Sequence, residues 1–317
     1  MTPAPGHDTV RDNDAIRDDN AAQFGSSLVA MVTPMRPDGR VNQDAAGRLA
    51  DHLLAAGCDG LVVAGTTGES PTLTPAEAAE LTATVAQRAR GRARVIAGVG
   101  TSDTAHSVSQ ARRAEDAGAD ALLLVAPYYS RPTQAGVVAH SLAVADATAL
   151  PVMLYDVPHR TATPFTAAAL IELASHPRVM AVKDAKGELF EAVSVMTETS
   201  LAYYCGIDEL NLPYLAAGAS GVVSVVANVA PAQITELIGA VRSGDLPRAR
   251  AINRSLVPLT DAIMRTSQGP IMAKAALAEL GILDHATVRL PLLESPPEDL
   301  DKLALALVPR PATPLSA

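Results

Sequence analysis

Lys183 closes the run Val179-Met-Ala-Val-Lys183, a stretch of β-formers with Pro177 before it and Gly187 after it. Such a run reads as a buried parallel strand. An amine at the end of that strand, away from water and from a compensating charge, is disfavoured in its charged form and becomes a nucleophile toward carbonyls. A strand-end lysine can also snorkel to solvent, so its companions decide. These stand at the ends of other apolar runs. They are Thr66 and Thr67 in Gly65-Thr-Thr-Gly-Glu69, Tyr128 and Tyr129 in Pro127-Tyr-Tyr-Ser-Arg-Pro132, then Tyr155 and Arg160 in Tyr155-Asp-Val-Pro-His-Arg160. Together they offer an amine nucleophile, hydroxyls able to pass protons, and a guanidinium for a carboxylate. Strand ends favour aromatic and β-branched residues on packing grounds alone, so the combination carries the reading and no single member does. No Ser-His-Asp arrangement, P-loop or metal-ligand cluster competes with it, and of the seven histidines only His159 falls in one of these loops.

The elements that position these residues follow one pattern. From residue 26 onward short apolar runs alternate with longer helical stretches, giving strands near 27–32, 61–64, 94–98, 121–125, 151–155, 179–183, 202–205 and 222–226. Thr74-Pro-Ala-Glu77 has the form of a capping box with proline at the first helical position. Three segments share one grammar: Ala56-Gly-Cys-Asp-Gly-Leu, Ala117-Gly-Ala-Asp-Ala-Leu and Ala217-Gly-Ala-Ser-Gly-Val. In each a glycine stops a helix and a tight turn feeds a buried strand. Eight such units predict an α/β (β/α)8 TIM barrel over 24–230; an open doubly wound sheet is the alternative, without a GxGxxG after the first strand. Active-site residues of such a barrel come from the C-terminal ends of its strands. Residues 231–308 read as a C-terminal helical region, with helices near 231–242, 246–266, 269–280 and 297–307. Residues 1–23 read as a disordered polar tail and 309–317 as a frayed, proline-rich one.

Composition narrows the function. The 317 residues are 48% hydrophobic but only 3% aromatic, with no Trp, so the core is built from Ala, Val, Leu and Ile. A net charge of −9 without a basic cluster argues against nucleic acid and anionic membrane as partners. Cys58 and Cys205 stand far apart and read as buried thiols of a reducing compartment. With no apolar leader and no run of membrane-spanning length, the expected location is the cytoplasm.

Gly65-Thr-Thr-Gly-Glu69, Pro127-Tyr-Tyr-Ser-Arg-Pro132, Leu154-Tyr-Asp-Val-Pro-His-Arg160 and Val182-Lys-Asp-Ala185, together with Gly221-Val-Val-Ser-Val-Val-Ala-Asn228, resemble the motifs of the pyruvate-dependent class I aldolase family, in the family's order and over about residues 26–290. The resemblance implies the same barrel with its C-terminal helices, and a homotetramer of tight dimers. It implies that Lys183 forms an imine (Schiff base) with pyruvate and that Thr67 holds the pyruvate carboxylate. Tyr155, Thr66 and Tyr129 would relay protons, Tyr129 from the neighbouring subunit. Arg160 would bind the carboxylate of the acceptor, L-aspartate 4-semialdehyde, in a lyase of lysine and diaminopimelate biosynthesis, and Gly206 and Val223 would line the pyruvate pocket. No metal or organic cofactor is needed, since the lysine carries the covalent chemistry. Ile207 and His159 depart from the family pattern, Ile207 replacing an aspartate. That leaves two alternatives: a relative acting on a sugar-derived aldehyde, of 2-keto-3-deoxy-sugar-acid aldolase or sialic acid lyase type, and a barrel that has lost catalysis. Arg160 with Thr66 and Thr67 favours the aspartate semialdehyde, and an amine retained at an apolar strand end favours catalysis.

Overall fold

Runs rich in Val, Leu and Ala form eight short parallel strands: β1 Ser27–Ala30, β2 Gly60–Val63, β3 Arg94–Gly98, β4 Ala121–Val125, β5 Val152–Asp156, β6 Val179–Asp184, β7 Ala202–Cys205 and β8 Gly221–Ser224. The structure, a computed structural model, describes residues 7–307. Each strand pairs with the next, and β8 returns to β1 with Ser27 opposite Val222 and Val29 opposite Ser224. Closure excludes the open-sheet alternative. The strands are buried almost throughout, as parallel strands covered by helices must be.

The helices are α1 His7–Ala22, α2 Gln43–Ala55, α3 Pro75–Ala89, α4 Thr104–Asp116, α5 Gln134–Ala145, α6 Pro158–Thr161, α7 Ala167–Ala174, α8 Leu189–Glu198, α9 Asn211–Ala216, α10 Pro231–Arg242, α11 Leu246–Met264, α12 Gly269–Glu279 and α13 Pro297–Leu307. Asn42, Thr74, Asp103, Thr133 and Thr166 each cap a helix through the side chain, and the Thr74–Glu77 capping box is complete. The shared turns form as read, with Gly57, Gly118 and Gly218 at φ of 95°, 85° and 102°. Residues Gly269 to Leu277 of α12 are all buried, so this helix sits inside the C-terminal region with no wet face. None of the helices among the described residues is long and apolar enough to cross a membrane.

β1 ends at Ala30, two residues short of the predicted 32, and two further segments differ from expectation. Of the disordered tail predicted for 1–23, residues 1–6 lie outside the described residues, and His7–Ala22 form the helix α1. It docks through polar contacts: the Arg17 guanidinium donates to the carbonyls of Met196, Thr199 and Leu201, and Asn20 donates to that of Ser200 at 2.8 Å. The eighth strand stops at Ser224, short of the predicted 226, because Asp208 accepts from the backbone N–H groups of Val225 and Val226 and turns the chain into a 3-10 helix over Val226–Asn228. The tail at 309–317 lies outside the described residues.

Candidate active site

Lys183 and Tyr155 are register partners on neighbouring strands, and Asp184 and Asp156 are the next pair. Strand alternation therefore puts the lysine and tyrosine on one face and the two aspartates on the other. Lys183 Nζ lies 4.1 Å from the centroid of the Tyr155 ring, and both residues are buried, at 5% and 6% exposure. Only four lysines occur in the chain. Lys186 pairs with Asp156 and Glu191, Lys274 with Glu69, and Lys302 with Asp261. Among the described residues Lys183 alone has no carboxylate within ion-pair distance.

The space for its stem is made by residue 206. A Cβ there would lie 3.1 Å from both Cγ and Cε of Lys183 and 3.0 Å from the Asp184 carbonyl oxygen, so glycine is what fits. Gly206 is itself tied down, its N–H donating to that carbonyl at 2.7 Å. Val223 is buried in β8 opposite Leu28.

Behind the reacting face, Asp156 is pushed up to about 6 by burial, against the opposing charge of Lys186. Burial also raises Asp184, whose carboxylate accepts from the N–H groups of Lys186 and Gly187 at 2.8 and 3.3 Å. Lys186 bonds Glu191 at 2.7 Å and the Phe165 carbonyl at 3.2 Å. These groups fasten the ends of β5 and β6 from outside. Sequence reasoning missed them, though an aspartate directly after each site residue was a visible signal.

Thr66 and Thr67 lie in the turn after β2. The Thr66 carbonyl accepts from Glu69 N–H at 3.1 Å, and the buried Thr33 hydroxyl donates to the Gly68 carbonyl at 2.6 Å. Arg160 sits exposed on α6, where its guanidinium donates to Gln268 Oε1 at 3.1 Å at the start of α12. Burial, and then the adjacent Arg160 charge, hold His159 below its ordinary value. Ile207 is half-buried and leans on the turn at Gly187, its Cδ1 lying 3.3 Å from where a Cβ on that glycine would stand. The next residue, Asp208, is buried and accepts from Ser224, Asn211, Val225 and Val226, joining the ends of β7 and β8.

Tyr129 differs from the buried pair Lys183 and Tyr155. It is 92% exposed and holds a left-handed backbone, φ 72°, which costs a bulky residue on the order of 1–3 kcal/mol. A cavity of about 870 Å³ lies at the opposite end of the barrel beside Asp59, Arg92, Arg94 and Asp120. None of the predicted site residues lines it.

The sequence profile of the Dihydrodipicolinate synthetase family matches residues 23–308. The chain is 51% identical over 285 residues to the 4-hydroxy-tetrahydrodipicolinate synthase of Mycolicibacterium paratuberculosis, covering 90% of this chain and 94% of that one. It is 49% identical over 296 residues to that of Kineococcus radiotolerans, covering 93% and 96%. The crystal structure of dihydrodipicolinate synthase from Aquifex aeolicus superposes with a TM-score of 0.87 at 37% identity, covering 90% and 97%.

Proposed function

The chain belongs to the Dihydrodipicolinate synthetase family, and from that premise we propose that Lys183 is the residue on which it assembles its product. The protein condenses pyruvate with L-aspartate 4-semialdehyde to give 4-hydroxy-tetrahydrodipicolinate, in lysine and diaminopimelate biosynthesis. The sugar-aldehyde alternative is not favoured, because relatives near half identity over nine-tenths of the chain are synthases. One observation carries the proposed role: Lys183 is the lysine left without a carboxylate, at a barrel strand end against the Tyr155 ring.

In this reading the Lys183 amine adds to the pyruvate carbonyl carbon and water leaves, forming the imine. Thr67 holds the pyruvate carboxylate, and Gly206 and Val223 wall its pocket. The electron-poor imine lets the methyl group lose a proton through Tyr155, Thr66 and Tyr129, and the enamine attacks the aldehyde carbon. Each step moves a proton, so a fixed chain of hydroxyls serves better than one base. The substrate amine then attacks the imine carbon, closes the ring and expels Lys183. Arg160 meets the semialdehyde carboxylate at the mouth, which its exposure there supports. The exposed, strained Tyr129 supports a shared site in which each subunit lends this tyrosine to its neighbour, in a homotetramer of tight dimers. The reading places the enzyme in the cytoplasm.

Borohydride added with pyruvate tests this directly. One adduct per chain is expected on the peptide containing Lys183, with none in Lys183→Ala. Lys183→Arg is expected to be inactive as well, since a guanidinium stays protonated. An adduct on another lysine, or an equal yield in the alanine variant, refutes the assignment.

A further inference from the structure

The turn that carries Thr66 and Thr67 is held in an unfavourable conformation from two sides. Ala64 before it and Glu69 after it both adopt left-handed backbones, φ 50° and 59°, although neither is glycine. Such residues persist where the surroundings over-determine them. From below, the Thr33 hydroxyl takes the Gly68 carbonyl at 2.6 Å. A Cβ on Gly68 would stand 3.1 Å from Ala64 N and 3.2 Å from Thr33 Oγ1, so the turn closes tightly on its own start.

From the C-terminal side the hold is a buried ion pair. The Glu69 carboxylate meets the Lys274 ammonium, and their side chains are 1% and 0% exposed. Its other oxygen accepts the Arg289 N–H at 2.9 Å, while Lys274 also donates to the Thr287 carbonyl at 2.7 Å. Burial lowers the affinity of Lys274 for its proton, and the Glu69 charge opposes that. Arg289 continues the lock, donating to the Thr72 and Gly39 carbonyls and to Glu77.

We infer that the Glu69–Lys274 pair is a positioning device for the reaction: the C-terminal region sets the Thr66–Thr67 turn and, through it, the grip on the pyruvate carboxylate. This rests on the role proposed above for those threonines. The two charged groups bond to each other, to the Arg289 N–H and to the Thr287 carbonyl, and to none of the groups given a role in the reaction, so Glu69 and Lys274 act through the turn and are positioning residues. A pair serving stability alone could sit anywhere in the core. This one is formed by the residue directly after Thr-Thr-Gly, whose own N–H closes the Thr66 turn at 3.1 Å.

The test compares Glu69→Gln, which keeps the shape and the Arg289 contact, with Thr33→Val, which releases the same turn from the opposite side without touching a charge. Lys302→Met, which breaks the ion pair with Asp261 on α11, is the control. In both test variants kcat/KM for pyruvate and the rate of borohydride trapping are expected to fall roughly ten- to a hundredfold, as displacement of a positioned group does, with KM for the semialdehyde within about twofold. Lys302→Met is expected to match wild type. Circular dichroism and thermal unfolding report whether each variant is folded. If Glu69→Gln is insoluble, Thr33→Val decides. Wild-type pyruvate kinetics in folded test variants, or losses that follow thermal stability alone, overturn the inference while the imine reading stands. Absence of a Lys183 adduct in wild type overturns both.

Discussion

Substituting alanine for Gly206 probes the lysine without altering any reacting group. The added Cβ would lie 3.1 Å from Cγ and Cε of Lys183 and 3.0 Å from the Asp184 carbonyl oxygen. Relaxed carbon–carbon contacts fall near ~3.5–4.0 Å, so the neighbours must retreat by roughly half an ångström. The Asp184 carbonyl belongs to a barrel strand and is already bonded to Gly206 N–H at 2.7 Å, leaving the lysine stem as the softer partner. A misplacement of about 1 Å costs on the order of a hundredfold in rate, so half of that, taken on a logarithmic scale, slows imine formation about tenfold. Overpacking of this size also costs about 1–3 kcal/mol of stability, which lowers the melting temperature by several degrees without unfolding the protein. Quenching pyruvate–enzyme mixtures with borohydride at short times and quantifying the Lys183 peptide gives the rate directly. Gly239→Ala is the matched control, since a Cβ there meets nothing within 4 Å on the exposed face of α10. A folded Gly206→Ala enzyme that traps pyruvate at the wild-type rate refutes the idea that this glycine makes room for the nucleophile.

Arg160→Ala is expected to raise KM for the semialdehyde by about ten- to a hundredfold, the equivalent of a charge-assisted contact worth roughly 1.5–3 kcal/mol, with imine formation intact. Unchanged kinetics with that aldehyde would remove Arg160 from acceptor binding. Lys183→Ala and Tyr129→Phe should each be nearly inactive alone but recover activity when refolded together, because a mixed dimer holds one site with both residues; demonstrated mixed oligomers without recovery contradict the shared site. Glu77 is lowered from 4.5 to about 2, chiefly by its hydrogen bond from Arg289, so the folded state binds the proton less tightly than the unfolded chain. Its stabilisation is therefore complete above about pH 4.5 and lost as the pH falls toward 2, and after allowance for partial exposure is on the order of 2 kcal/mol. Denaturant titrations should show Glu77→Gln less stable than wild type at pH 7, with the gap closing below pH 3; a gap that does not change with pH denies the ion pair its role.

The barrel was readable because its units repeat a local rule. Each strand is an apolar run, and the Ala-Gly-x-x turns that feed three of them need a glycine with positive φ, which sequence displays openly. The ends of elements and the N-terminal helix were less readable because distant groups set them. α1 is polar and short of apolar residues, so it looked disordered, yet Arg17 and Asn20 bond to carbonyls about 180 residues away. β8 stops early because Asp208, across the β7 connection, captures the amides of Val225 and Val226. No periodicity records such contacts.

The two most buried lysines show where sequence reading reaches its limit. Lys183 ends Val-Met-Ala-Val-Lys, and Lys274 sits in Gly269-Pro-Ile-Met-Ala-Lys-Ala-Ala, so each is an amine inside an apolar run. By local pattern they are the same anomaly, and a cost in free energy attaches to burying either charge. Lys274 does not stand out in the sequence, because a lone lysine in a helix ordinarily marks a wet face, whereas Met272, Ala273, Ala275 and Ala276 around it are all buried. Tertiary structure separates the two. Lys274 is given a carboxylate from a residue 205 positions earlier, which offsets the cost of keeping it charged and makes it a fixed post for the Thr66–Thr67 turn. Lys183 is given a tyrosine ring and a glycine, which shape the space around it and provide no anion. A buried lysine with a counter-charge holds structure in place; one without a counter-charge is the group able to attack a carbonyl. The motifs pointed to Lys183 as the nucleophile, and the physical reason it and not Lys274 fits that role is the unequal distribution of two partners, Glu69 and Tyr155, that the folded chain brings to them.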